Sequence, residues 1–254
     1  FRFFDRRRKR AVLYILYLPK TAGEKKDCRK VNGVLAWYTK VTNQKYSIIA
    51  SPGFLSTTTH SISDYLSELA KILYSDFSPV KIGILNGMNG HLRVKGSLKS
   101  ILQEHNENLR LPKFDAITLK EKRESDHRKM MCFFKGENFP EVLDQSNVED
   151  FIRDIRVGAI LVGSSNQSRK TYFEEYAAKG EADVFMFDAE ESGLVSLVED
   201  KSGDFNTVDF WGNQNSKVLD EIVIAKSFYG KGHSDTQEFL KDILRDVLKN
   251  GLDK

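Results

Sequence analysis

The sequence predicts an α/β fold, a sheet covered by helices. Short apolar runs recur along the chain, each bounded by polar or turn-forming residues, as buried strands are. Between them lie stretches whose apolar residues fall three and four apart, the spacing of an amphipathic helix. From residue 46 to residue 119 the two patterns alternate as strand, helix, strand, helix, strand, which argues for helices packed on a sheet.

Residues 1–10 form a basic arm, equally compatible with a solvated face and with nucleic-acid contact. The run from Ala11 to Leu18 follows these charges as the apolar part of a signal peptide would. It contains Tyr14 and Tyr17, however, and meets Pro19-Lys20 instead of a small-residue cleavage site, so a strand is expected. Residues 20–30 read as a polar connection, and Val34 to Tyr38 suits a strand or a helix equally. Tyr46 to Ala50 is a strand stopped by Ser51-Pro52-Gly53. Ser61 to Tyr74 is a helix with Ile62, Tyr65, Leu66, Leu69, Ala70, Ile72 and Leu73 on its apolar side, capped by Ser61 or Ser63. Val80 to Leu85 is a strand, 95–110 a helix, and Phe114 to Leu119 a strand. Two further strands are expected at Met130 to Phe134 and Val157 to Val162, with a helix at Asn147 to Ile155 between them. A helix from Ser168, a strand over Ala182 to Phe187 and sheet-like residues over Val218 to Ala225 follow. The last element is a helix capped by Ser234 or Asp235, with Phe239, Leu240, Ile243, Leu244, Val247 and Leu248 on one stripe, closed by Gly251.

The 254 residues, 40% hydrophobic and 30% charged, suit a globular chain, and a net charge of +3 confines any basic surface to a local patch. No stretch reaches bilayer-spanning length. Cys28 and Cys132 lack metal-ligand spacing, and Cys132, inside an apolar run, reads as a small core residue of a reduced, cytoplasmic protein. His60, His91, His105 and His233 show no ligand spacing either, so no metal or other cofactor is expected. Asn86 to Gly90 is glycine-containing but has no phosphate-loop lysine in register, and reads as a loop.

Two polar motifs border apolar runs. His127-x-Lys129 immediately precedes Met130 to Phe134, and Gly163-Ser164-x-Asn166 follows Val157 to Val162. Composition alone gives about 0.4 chance matches of H-x-K and on the order of 0.1 of G-S-x-N. A histidine and a lysine two apart on a strand share a face, and small and amide residues end the neighbouring run. An imidazole, an ammonium and an amide gathered at one edge can attack a phosphodiester without metal: a nucleophile, a general acid and cations for the phosphate oxygens are what that reaction needs. The bland account is a surface histidine in a charged loop and an ordinary turn.

The pair of motifs resembles the phospholipase D superfamily over roughly residues 45–190. Ile48 to Phe54, a helix, and Lys81 to Leu85 resemble the opening strand, helix and strand of that fold. The resemblance implies a mixed β-sheet flanked by helices on both faces, with one H-x-K/G-S-x-N motif per chain. Residues 1–254 would then be a single domain, its core at about 45–190 and 191–254 a C-terminal extension ending in the amphipathic helix. Chains with one motif are most similar to the metal-independent nuclease branch, including phospholipase D-like restriction endonucleases, in which two subunits share one site. By that likeness His127 is the nucleophile, forming a phosphohistidine, and His127 of a second subunit protonates the leaving oxygen. Lys129 and Asn166 hold the phosphate oxygens, Ser164 orients the site, and Glu181 is the acidic residue that positions the histidine. Ser51, Arg169 and Lys170 are candidate substrate contacts. Phe134 replaces an aspartate that many members carry five residues beyond the lysine, which tilts toward nuclease and away from lipid hydrolase. Residues 135–156 lengthen the usual gap between motifs. The expectation is therefore a homodimeric, metal-independent DNA phosphodiesterase, with a restriction or defence role. The alternatives are a phospholipase or transphosphatidylase, disfavoured by the single motif and the lack of a membrane-seeking helix, and an inactive nucleic-acid-binding module.

Overall fold

Strands form where the apolar runs are. The computed structural model describes residues 13–20, 29–42, 44–52, 67, 69–73, 79–86, 103, 107, 114–119, 129–136, 140, 142–164, 180–194, 223–227 and 233–251. Its strands are β1 (Leu13–Lys20), β2 (Ser47–Pro52), β3 (Ile82–Asn86), β4 (Phe114–Leu119), β5 (Lys129–Lys135), β6 (Val142–Leu143), β7 (Arg156–Gly163), β8 (Glu181–Asp188) and β9 (Val223–Ser227). The helices with defined bounds are α1 (Arg29–Val41), α2 (Val148–Asp154) and α3 (His233–Gly251). Residues 69–73 are also helical, within the span where a helix is expected.

The strands form one mixed sheet in the order β6-β4-β3-β2-β5-β7-β8-β1-β9. One flank, β6-β4-β3-β2, pairs parallel, and every pairing from β2-β5 through β1-β9 is antiparallel. β1 is therefore an interior strand, bonded to β8 on one side and β9 on the other. The sheet draws on residues from both sides of the 45–190 segment.

Helices cover both faces. Val31, Val34, Leu35 and Tyr38 repeat at helical spacing and are all buried, which settles the ambiguous Val34–Tyr38 stretch as part of α1. Tyr38 lies edge-on to Phe133 and Phe185, with ring centroids 5.2 Å away in each case, and Trp37 lies 5.6 Å from Phe187. The opposite face alternates with these residues: Ile49, Met130, Cys132, Ile160 and Met186 form a second core with α2 and α3. Cys132 is fully buried there, and burial pushes its thiol well above the ordinary range.

Polar side chains close this core where the ladder runs out. β8 pairs with β7 only as far back as Ala159, so Gln237 of α3 takes the place of a strand beside Val157. Its Oε1 accepts from Val157 N at 2.8 Å, and its Nε2 donates to Val157 O at 2.8 Å and to buried Asp188 Oδ2 at 3.0 Å. On the α1 side, Tyr38 OH and Ser192 Oγ are 2.8 Å apart, and Ser192 Oγ donates to Gly158 O at 3.1 Å. Burial raises the Tyr38 hydroxyl far above the usual tyrosine range.

Three local expectations change. β2 continues through Ser51 and Pro52, tolerated because proline at a strand end forgoes only a terminal ladder bond. The 135–156 segment carries the short strand β6 beside α2, and β6 pairs with β4. α3 begins at His233, so Ser234 and Asp235 lie inside its first turn instead of capping it.

Candidate functional site

The two motifs meet in neighbouring strands. β5 starts at Lys129, β7 ends at Gly163, and these two residues are partners in the antiparallel register. The same row extends to Pro52 of β2 beyond Lys129 and to Asp183 of β8 beyond Gly163. Ser51 stands one residue away, opposite Met130. The final residues of β2 and β7 and the first residues of β5 and β8 thus converge at one end of the sheet.

Cross-strand partners share a face and alternate residues change face. Lys129, Gly163 and Asp183 therefore lie on one face, with Glu181, two residues before Asp183, on the same side. Lys129 and Glu181 are both half-buried. Ser164 extends the ladder past β7: its N–H donates to Ala182 O at 3.0 Å, and its hydroxyl accepts from Ala182 N at 3.0 Å and donates to Ala182 O at 3.3 Å. The serine of the second motif thus ties its strand end to β8, an orienting role in which the hydroxyl works through the backbone.

Asp183 was not singled out from the sequence. It is 1% exposed, and it packs against Gly163. A Cβ on Gly163 would stand 2.7 Å from both Ala182 O and Asp183 Cα, and closer still to Asp183 Oδ1. The glycine of the motif is thus the residue that lets a carboxylate lie against the strand end, next in the row to Lys129. The sign in the sequence was an aspartate inside the apolar run from Ala182 to Phe187.

A pocket of about 480 Å³ opens at this end of the sheet, bordered by Lys129, Val162 and Gly163 and by one side of α3. Among the described residues, no group of three His, Cys, Asp or Glu side chains could hold a metal ion, and no helix is long and apolar enough to cross a membrane. An ammonium beside a strand end, a buried carboxylate and an adjoining pocket are suited to binding an anionic group with an organic substituent. The structure brings Lys129, Ser164, Glu181 and the backbone of Ser51 to one end of the sheet. His127, Asn166, Arg169 and Lys170 lie outside the described residues.

No protein-family model and no curated protein sequence matches the chain. Among solved structures, the chain is similar to the crystal structure of phosphatidylserine synthase from Haemophilus influenzae Rd KW20, at 10% sequence identity and a TM-score of 0.39. That match covers 92% of this chain and 46% of the other, so the chain spans about half the length of that protein.

Proposed function

We propose that the chain is a metal-independent phosphodiesterase acting on DNA in the cytoplasm, as a homodimer with a shared site, in a restriction or defence role. One observation carries the reading. Lys129 and Gly163, from motifs far apart in the sequence, are register partners on adjacent strands. In this scheme an imidazole nitrogen of His127 attacks phosphorus and a P–N bond forms as the P–O bond to the leaving group breaks. The departing oxygen takes its proton from His127 of the second subunit. That second imidazole then removes a proton from water, whose oxygen displaces the first histidine and restores both. Lys129 and Asn166 stabilise the charge on the phosphate oxygens, Ser164 fixes the strand end, and Glu181 orients the histidine. Arg169, Lys170 and Ser51 contact the substrate backbone.

The test is cleavage of plasmid and single-stranded DNA in excess EDTA by the wild type, His127→Ala and Lys129→Met proteins. The reading expects chelator-resistant cleavage that is lost in His127→Ala. Cleavage abolished by EDTA refutes the histidine mechanism. Hydrolysis of phospholipid but not of DNA transfers the site to a lipid phosphodiesterase, and DNA binding without cleavage of either leaves a binding module.

A further inference from the structure

We propose that the pocket beside Lys129 receives one nucleobase, turned out of its stack, from the strand whose phosphate meets Lys129. The proposal deepens the phosphodiesterase reading above, on which it rests, by naming what the site recognises. At about 480 Å³ the pocket falls within the roughly 300–1,000 Å³ of small-molecule sites and is larger than a phosphate requires. Its wall is apolar: Val162 at the strand end faces Phe239, Ile243 and Val247, which stand one helical turn apart along α3. Val162, Phe239 and Ile243 are only partly buried against the core, so each keeps surface for a ligand.

Charge divides the pocket. Lys129 stands at the strand end, and Asp242 and Asp246 stand one turn apart on α3. A phosphate is attracted to the first place and repelled from the second. The complementary ligand carries an anion at one end, a flat apolar body in the middle and hydrogen-bond donors at the far end. A nucleotide bearing an exocyclic amino group has all three: its π face suits Phe239, and its amino group donates to a carboxylate. Asp242 is ion-paired with Arg245, yet a carboxylate has lone pairs for further bonds. Cytosine offers an amino group where thymine offers a carbonyl oxygen, which a carboxylate repels, so the pocket selects cytosine over thymine. An aminoalcohol headgroup also joins an anion to a cation, but it has no flat face to cover the Phe239–Val247 stripe.

The experiment measures binding of fluorescent oligo-dC and oligo-dT, at one salt concentration and pH 8, to the cleavage-deficient His127→Ala protein. Oligo-dC is expected to bind about tenfold more tightly than oligo-dT, as expected for one discriminating polar contact of about 1–3 kcal/mol. The added pair Asp242→Asn and Asp246→Asn should erase the preference, and Phe239→Leu should weaken both oligomers while leaving the melting temperature near that of the parent. Equal affinity for the two oligomers, or a preference that survives the double substitution, overturns the proposal. Cleavage by the wild type without base preference removes the pocket and leaves the reaction standing. A carboxylate-dependent cytosine preference without cleavage does the reverse. Tighter binding to phosphatidylcholine vesicles than to either oligomer overturns both.

Discussion

Replacing Gly163 by alanine tests the closeness on which the site depends. The new methyl group would stand 2.7 Å from Ala182 O and Asp183 Cα and nearer still to Asp183 Oδ1. Two of these three neighbours are backbone atoms of β8, which is bonded on both sides, to β7 and β1, and cannot swing away as a flexible side chain would. Overpacking of this kind costs about 1–3 kcal/mol. Displacing a 1% exposed carboxylate from its partners adds about 1–3 kcal/mol. A total of about 2–4 kcal/mol corresponds to a melting temperature lower by about 10 °C in a protein of this size. The assay is thermal unfolding beside Gly136→Ala, whose methyl group would press only the Ile155 side chain, at 2.9 Å from Cγ2. Gly163→Ala should melt well below Gly136→Ala, and phosphodiesterase activity, measured where both remain folded, should fall more in Gly163→Ala. A Gly163→Ala protein that melts within a degree of wild type would refute the contact between the motif glycine and Asp183.

Gln237→Leu strips partners from both backbone groups of Val157 and from the Asp188 carboxylate. It should cost about 3–5 kcal/mol in urea unfolding, since each buried group left unpaired costs about 1–3 kcal/mol. Burial lowers the basicity of Lys241, whose ammonium donates to Arg153 O at 2.9 Å. The unfolded chain therefore holds that proton more tightly. Wild type should gain stability relative to Lys241→Met as pH rises toward the ordinary lysine range, and a flat difference across that window would contradict the burial. Glu149 ties α2 to α3 through Lys249 and Arg245, which hold its carboxyl below the usual range, Lys249 most strongly. Its contribution is present above the ordinary glutamate range and is lost as pH falls through the lowered value, so the stability gap to Glu149→Gln should close in acid. Because the group is exposed, the gap should be small and shrink with added salt.

Strands with pure apolar runs were legible: β5, β7 and β8 fall where Met130 to Phe134, Val157 to Val162 and Ala182 to Phe187 place them. The ambiguity at Val34 to Tyr38 was real, because β-branched, aromatic and aliphatic side chains there satisfy either period. The face offered by Phe133, Phe185 and Phe187 decides it, and no local pattern carries that information. β6, only two residues long, is too short to carry a period. At the site, the H-x-K and G-S-x-N motifs marked the strand ends that meet. Asp183 was passed over because its neighbours are apolar and Glu181 is the less buried acid, whereas only the register shows Asp183 in the row of Lys129. The pocket was illegible for a related reason: α3 stood in the sequence as part of an extension, and its docking on β7 and β8 joins residues far apart in the chain.

The interior position of β1 sets a timetable for biosynthesis. Leu13–Lys20 leaves the ribosome first among the strands, yet its partners are Glu181–Asp188 and Val223–Ser227. At about 5–20 residues per second, β1 waits roughly 10–30 s for the earlier of these partners to be made. Through that interval an apolar segment with both hydrogen-bonding edges open is available to wrong partners. The nascent chain is therefore most exposed to aggregation before β8 emerges. Supplying Leu13–Lys20 as a separate peptide to a chain begun after it offers a way to watch the sheet being completed.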